Sequence, residues 1–73
     1  MDYARILEDV NGVLRNLDRL GNAPRTTSTF LQLKEELEWS LANPVHPGRG
    51  VLVQLMLRQP ATSGILKSNL RNG

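Results

Sequence analysis

The sequence predicts a small, mainly α-helical domain built around an antiparallel helical hairpin. Two observations carry this prediction: apolar residues recur at helical spacing through the first 42 residues, and segments rich in proline and glycine separate the periodic stretches. With 73 residues and no cysteine, the chain has room for one domain and no disulfide. Chains this short bury only about 60% of their unfolded surface. Close helix packing or a partner chain is therefore expected to support the fold.

The first helix is predicted over residues 2–20. Asn11-Gly12 between two valines is typical of a β-hairpin, but the flanking segments lack the alternation of a strand. Gly12 costs a helix about 1 kcal/mol, and we expect it on the outer face, where it permits a bend or a close backbone approach. Asp2 suits the start of this helix and Gly21 its C-cap. The apolar seam, spaced by three and four residues, consists of Tyr3, Ile6, Val10, Val13, Leu17 and Leu20.

The second helix is predicted over residues 29–42. Residues 21–28 have turn composition, Thr29 and Gln32 have capping-box spacing, and Asn43-Pro44 stops the helix. We expect its core face to pack on the first helix as an antiparallel hairpin. A coiled-coil homodimer is the alternative, although three heptads are near the lower limit for one. The core face consists of Phe30, Leu33, Leu37 and Leu41.

The back half of the chain, residues 51–73, is apolar and basic. It follows a Pro/Gly linker or rigid turn over residues 43–50, whereas residues 1–42 form the predicted helical core. Residues 51–59 are apolar on every side, so periodicity does not separate helix from strand, and their Leu, Met and Gln content favours a short helix. Pro60 ends this element. Beyond it we expect one or two helical turns, carrying Ile65, Leu66 and Leu70, in a poorly ordered C-terminus.

Charge is unevenly distributed along the chain. The net charge is +2, with −2 on residues 1–42 and +4 on residues 43–73, where Arg49, Arg58, Lys67 and Arg71 have no acidic neighbour in sequence. A nucleic-acid-binding module using residues 49–73 is therefore one functional interpretation. The basic residues are spread out, however, with leucines between them, and dedicated binders cluster their cations on one face.

Membrane and secretory classes are not expected. No stretch approaches the roughly 18 to 20 apolar residues of a membrane span. The first residues carry acids where a signal peptide would carry basic residues. The absence of cysteine suits a cytoplasmic protein, so we expect a cytoplasmic chain that makes no membrane contact.

The sequence contains few residues suited to catalysis. His46 is the only histidine, and it lies in a loop without an acidic neighbour in sequence. The carboxylates of Glu35, Glu36 and Glu38 are expected to form a solvated face. Pro47-Gly48-Arg49-Gly50 lacks the Gly-Lys-Ser/Thr signature of a phosphate-binding loop. We therefore expect no enzyme, no metal site and no cofactor.

Trp39 is the residue that most favours a function in binding. It projects about 160° away from Leu37, on the side of the glutamates, and is either an interface anchor or covered by residues 51–57. The sequence predicts a non-catalytic protein that docks on a larger protein as an adaptor, subunit or inhibitor. Small phage proteins that regulate a host enzyme such as RNA polymerase share its size and lack of chemistry. The predicted partner-binding residues are Trp39, Arg49, Leu52, Met56 and Arg58.

Overall fold

The structure, a computed structural model, describes residues 2–21 and 23–72, with side chains through Asn69. These residues form four α-helices and no strand: α1 (Tyr3–Leu20), α2 (Pro24–Ala42), α3 (Val51–Arg58) and α4 (Pro60–Asn72). The prediction of a mainly α-helical fold is confirmed. The third element, which the sequence left open between helix and strand, is a helix.

The bounds of α1 agree with the prediction. The Asp2 carboxylate accepts a hydrogen bond from the backbone N–H of Arg5 at 3.1 Å. Gly21 ends the helix with a φ of 73°, and its N–H donates to the carbonyl of Leu17. The helix runs without interruption through Asn11-Gly12. The helical spacing of the surrounding apolar residues therefore outweighs the turn preference of this dipeptide.

Helix α2 begins five residues earlier than predicted, at Pro24. Proline suits the first helical position because its missing N–H would have no intrahelical partner there and its φ is already helical. The capping-box prediction is wrong, since Thr29 lies inside the helix and its hydroxyl donates to the carbonyl of Arg25 at 3.0 Å.

Helix α4 is longer than the one or two turns predicted. Gln59, with a φ of −69° and a ψ of 128°, breaks the chain between α3 and α4, as expected for a residue before proline. Pro60 ends α3 as predicted, but it also opens α4 and occupies the same favoured first position as Pro24 in α2. The side chains of Leu70 and Arg71 lie outside the described residues.

Helices α1 and α2 pack as an antiparallel hairpin. The end of α1 meets the start of α2, where Leu17 and Pro24 line one cleft. At the other end Tyr3 lies beneath Arg49, whose side chain is bonded to Ser40. Antiparallel packing of the two helices accounts for most of the core.

Helix α4 packs along α1. The Asn16 amide donates to the side-chain oxygen of Asn69, and a Cβ on Gly12 would lie 3.2 Å from the Asn69 amide nitrogen. The sequence-based expectation that Gly12 lies on an outer face is therefore wrong. Gly12 lies where α4 comes close to α1. The sequence did not predict this contact, because α4 is formed by the weakly patterned C-terminal segment.

The core draws on three of the four helices. Partly buried apolar residues of α1, α3 and α4 pack around it, including Met56, Leu57 and Ile65. The predicted core residues Leu20 and Leu41 are exposed because each lies in the last turn of its helix. The fully enclosed apolar residues are Tyr3, Val10, Val13, Phe30, Leu33, Leu37 and Val53.

Candidate functional site

The segment 43–50 is a turn fastened to the end of α2. The Trp39 carbonyl accepts hydrogen bonds from the backbone N–H of Asn43 at 3.0 Å and from its side-chain amide at 2.8 Å. The Ser40 carbonyl accepts one from the Arg49 side chain at 2.9 Å. These helix-end carbonyls lack intrahelical partners, and the positive charge of Arg49 suits the negative end of the helix dipole.

A cluster of four residues fixes the start of α3 against α1 and α2. Ser40, only 1% exposed, accepts a hydrogen bond from the Gly50 N–H through its hydroxyl. Gly50 has a φ of 78°, and a Cβ there would overlap the Tyr3 hydroxyl. The Arg49 guanidinium lies 4.6 Å from the centre of the Tyr3 ring, a cation–π contact. The first residue of α3 therefore has little freedom to shift.

Sequence reasoning missed Ser40 and assigned Arg49 to the surface. The spacing of Ser40, three residues after Leu37 and seven after Leu33, would have placed it on the buried face of α2. Serine is mostly found at exposed positions, however, so residue type and spacing give opposite indications. The partner that satisfies it, Gly50, could not be identified from the sequence.

Trp39 lines a cleft between α2 and α3. Its side chain is 41% exposed, and its indole meets the His46 ring edge-on, with 4.8 Å between ring centres. His46 is itself held in the turn, since its Nδ1 accepts a hydrogen bond from the Gly48 N–H at 2.9 Å. Leu52 of α3 lines the same cleft, and the indole remains partly exposed. The cleft, of about 430 Å³, is lined by Glu35, Glu36, Trp39, His46, Gly48 and Leu52.

Helix α3 is apolar on both of its faces. On the inner face Val53 is fully buried in the core. On the outer face Val51, Leu52 and Leu55 are each between 45% and 54% exposed, and Leu55 lies one helical turn from both of the others. We call these three residues, together with Trp39, the α3 patch.

The predicted partner-binding residues occupy different environments. Trp39 and Leu52 come together in the α3 patch. Met56 is half-buried and packs against the core, and Arg49 makes the internal contacts described above. Arg58 is exposed, one helical turn beyond Leu55 at the end of α3.

The described basic residues of the back half differ in how far they are engaged within the chain. Arg49 is committed to Ser40 and Tyr3, and exposed Arg58 and Lys67 lie on different helices. The side chain of Arg71 lies outside the described range. Nucleic-acid binding through residues 49–73 stays a prediction.

A second cleft, of about 460 Å³, separates α1 from α4. Its α4 wall carries small residues at helical spacing, Ala61, Gly64 and Ser68. A Cβ on Gly64 would meet no atom within 4 Å. The cleft therefore has room for a side chain, but the residues lining it include no charged group that would select one.

Within residues 2–21 and 23–72, no group of His, Asp and Glu side chains is placed to hold a metal ion. Among the described helices, none combines the length and apolar character that crossing a membrane requires. The α3 patch, with the turn that precedes α3, is the candidate functional site in this part of the chain. Comparison with protein-family models, curated proteins and solved structures found no match.

Proposed function

We propose that this chain is a non-catalytic protein-binding module that docks on a larger protein through the α3 patch and acts as an adaptor or inhibitor. The observation that carries the proposal is the outer face of α3. Val51, Leu52 and Leu55 remain about half exposed there, although the inner face of the same short helix already supplies the core. Contiguous exposed apolar surface marks interaction sites, and tryptophan is enriched among interface hot spots.

The way α3 is held supports the proposal. The Ser40–Gly50 hydrogen bond and the Arg49 contacts fix the start of the helix, so the patch does not have to be ordered when a partner arrives. A surface that is already in its binding conformation loses less entropy on association.

The side chains around the patch favour binding over catalysis. His46, the only histidine of the chain, contributes its Nδ1 to the turn and its ring to the wall beside Trp39. Both roles are structural. The cysteine-free composition supports action in the cytoplasm.

A displayed peptide library tests the proposal without knowledge of the partner. The full chain is panned against random 16-residue peptides, and the recovered peptides are tested on Leu55→Glu and Trp39→Ala. Leu31→Glu is the matched control, because Leu31 is exposed to a similar degree, 47%, but lines clefts with α1 residues. Circular dichroism confirms that each variant is folded.

We expect peptides with apolar residues at helical spacing that bind wild type and Leu31→Glu equally. Their affinity should fall at least about tenfold on Leu55→Glu, equivalent to about 1.4 kcal/mol. Recovery of no peptide, or of peptides that bind all variants equally, would contradict docking through the α3 patch.

A further inference from the structure

We infer that the segment that docks on the α3 patch inserts an arginine or lysine side chain into the cleft between α2 and α3. The inference rests on the proposed function and adds the chemistry of the partner: an amphipathic segment whose apolar face carries one cation. The charge and composition of the cleft favour this occupant over a purely apolar or an acidic one.

Two carboxylates lie about one helical turn before the partly exposed Trp39 on α2. Glu35 and Glu36 precede Trp39 by four and three residues on α2, which places all three on one side of the helix, and all three line the cleft. A cation that enters there meets the indole, with which it makes a favourable contact, together with two negative charges.

Leu52 supplies the apolar wall opposite these groups. Long basic side chains lay their methylene stems along apolar surface and keep the charge at the polar end. The cleft offers both surfaces, with Leu52 for the stem and the carboxylates of Glu35 and Glu36 for the charged end. Arginine fits best, because its planar guanidinium can stack on an aromatic ring and bind a carboxylate with two donors.

Other occupants are disfavoured by the same groups. A purely apolar segment would remove water from Glu35 and Glu36 without replacing their hydrogen bonds, which costs free energy. An acidic segment would be repelled by them.

The position of Arg58 predicts which end of the bound segment carries the cation. It lies seven residues after Val51 and three after Leu55, on the face of the α3 patch, and roughly 9 Å along the helix axis from Leu52 at 1.5 Å per residue. The partner's cation is therefore expected at the Leu52 end, and a neutral or acidic residue at the Arg58 end.

The test uses the peptides recovered on the full chain, with Trp39, the only tryptophan, as the fluorescent reporter. In a recovered peptide the basic residue is replaced by glutamine. Both peptides are titrated against wild type, against Glu35→Gln/Glu36→Gln and against Glu38→Gln. Glu38 is the matched control, since it is an exposed carboxylate of α2 that does not line the cleft.

We expect removal of the cation to weaken binding to wild type about tenfold, and Glu35→Gln/Glu36→Gln to weaken binding of the original peptide by a similar factor. The effects should not add, because either change removes the same contact. Glu38→Gln should change affinity less than twofold, and added salt should reduce the advantage of the cationic peptide.

Failure of the inference can be told from failure of the proposed function. Peptides that require Leu55 but carry no cation, or that are unaffected by Glu35→Gln/Glu36→Gln, would overturn the inference and leave docking intact. Peptides indifferent to Leu55→Glu would overturn both. The remaining alternative is that a second copy of the chain occupies the patch, and the sedimentation mass of the chain alone tests it. A dimer that dissociates on Leu55→Glu would assign the patch to a second copy and overturn the inference.

Discussion

The Ser40 hydroxyl accepts a hydrogen bond from the backbone N–H of Gly50 at 3.2 Å. This bond joins the last turn of α2 to the residue that directly precedes α3. Both residues are buried. Neither belongs to the α3 patch, yet together they set where α3 begins and which of its faces points outward. The orientation of the candidate binding surface therefore depends on residues behind it.

Ser40→Ala removes the acceptor and leaves the Gly50 N–H buried without a partner. Stranding a buried polar group costs about 1–3 kcal/mol, so we expect a loss of that size in the free energy of unfolding, measured by urea denaturation. Ser28→Ala, an exposed serine of the same helix, should change stability by less than about 0.5 kcal/mol. Equal effects of the two substitutions would show that the Ser40 bond contributes nothing.

Gly50→Ala should be much more harmful than Gly21→Ala. Both glycines have a positive φ, 78° and 73°, a conformation that costs a side chain about 1–2 kcal/mol. Only at Gly50 would the new methyl group overlap Tyr3, whereas a Cβ on Gly21 meets nothing within 4 Å. The difference between the melting temperatures of the two variants measures the effect of the overlap with Tyr3. Similar melting temperatures would contradict the close approach of Tyr3 to Gly50.

Arg49→Met should destabilise the fold by about 1–2 kcal/mol. It removes a hydrogen bond to the Ser40 carbonyl and a positive charge at the end of α2, interactions of roughly that combined size. Arg58→Met, at an exposed position, should have little effect on stability. If Arg49→Met instead left stability unchanged and abolished peptide binding, the sequence-based assignment of Arg49 to the partner surface would be correct.

Gly64→Ala should stabilise the chain by about 0.5–1 kcal/mol. Alanine is the better helix former by about that amount, and the position opens onto the cleft between α1 and α4 with nothing within 4 Å. Gly12→Ala should gain less, because its methyl group would press on the Asn69 amide at 3.2 Å. Urea titrations in which Gly12→Ala gains as much as Gly64→Ala would indicate that α4 does not lie against α1.

Nucleic-acid binding should be absent or weak. Arg49 is engaged internally, which leaves Arg58 of α3 and Lys67 of α4 as the exposed cations among the described side chains of the back half. We expect no retardation of duplex DNA or RNA by the full chain at low salt. A complex that weakens steeply with salt and disappears in Arg58→Glu/Lys67→Glu would support the nucleic-acid interpretation against our proposal.

The late predicted start of α2 and the short predicted length of α4 have one cause. The sequence places Pro24 in a turn and Pro60 at the end of a helix, and in the structure each of them also opens a helix. Proline is compatible with both readings, because it cannot continue a preceding helix but is well suited to open the next. Whether a proline opens a helix depends on whether the residues after it pack into the core. Phe30 does so after Pro24, and Ile65 packs against the core after Pro60.

The helical hairpin follows from the amino-acid sequence alone. The heptad seam of α1 and the core face of α2 each carry a period that only a helix satisfies, and Asp2 and Gly21 mark the ends of α1 chemically. Which side of α3 faces solvent depends instead on packing between helices. A run that is apolar all round has no period to orient it, so its outward face is set by contacts distant in sequence, chiefly the turn at Gly50 held by Ser40 and Tyr3.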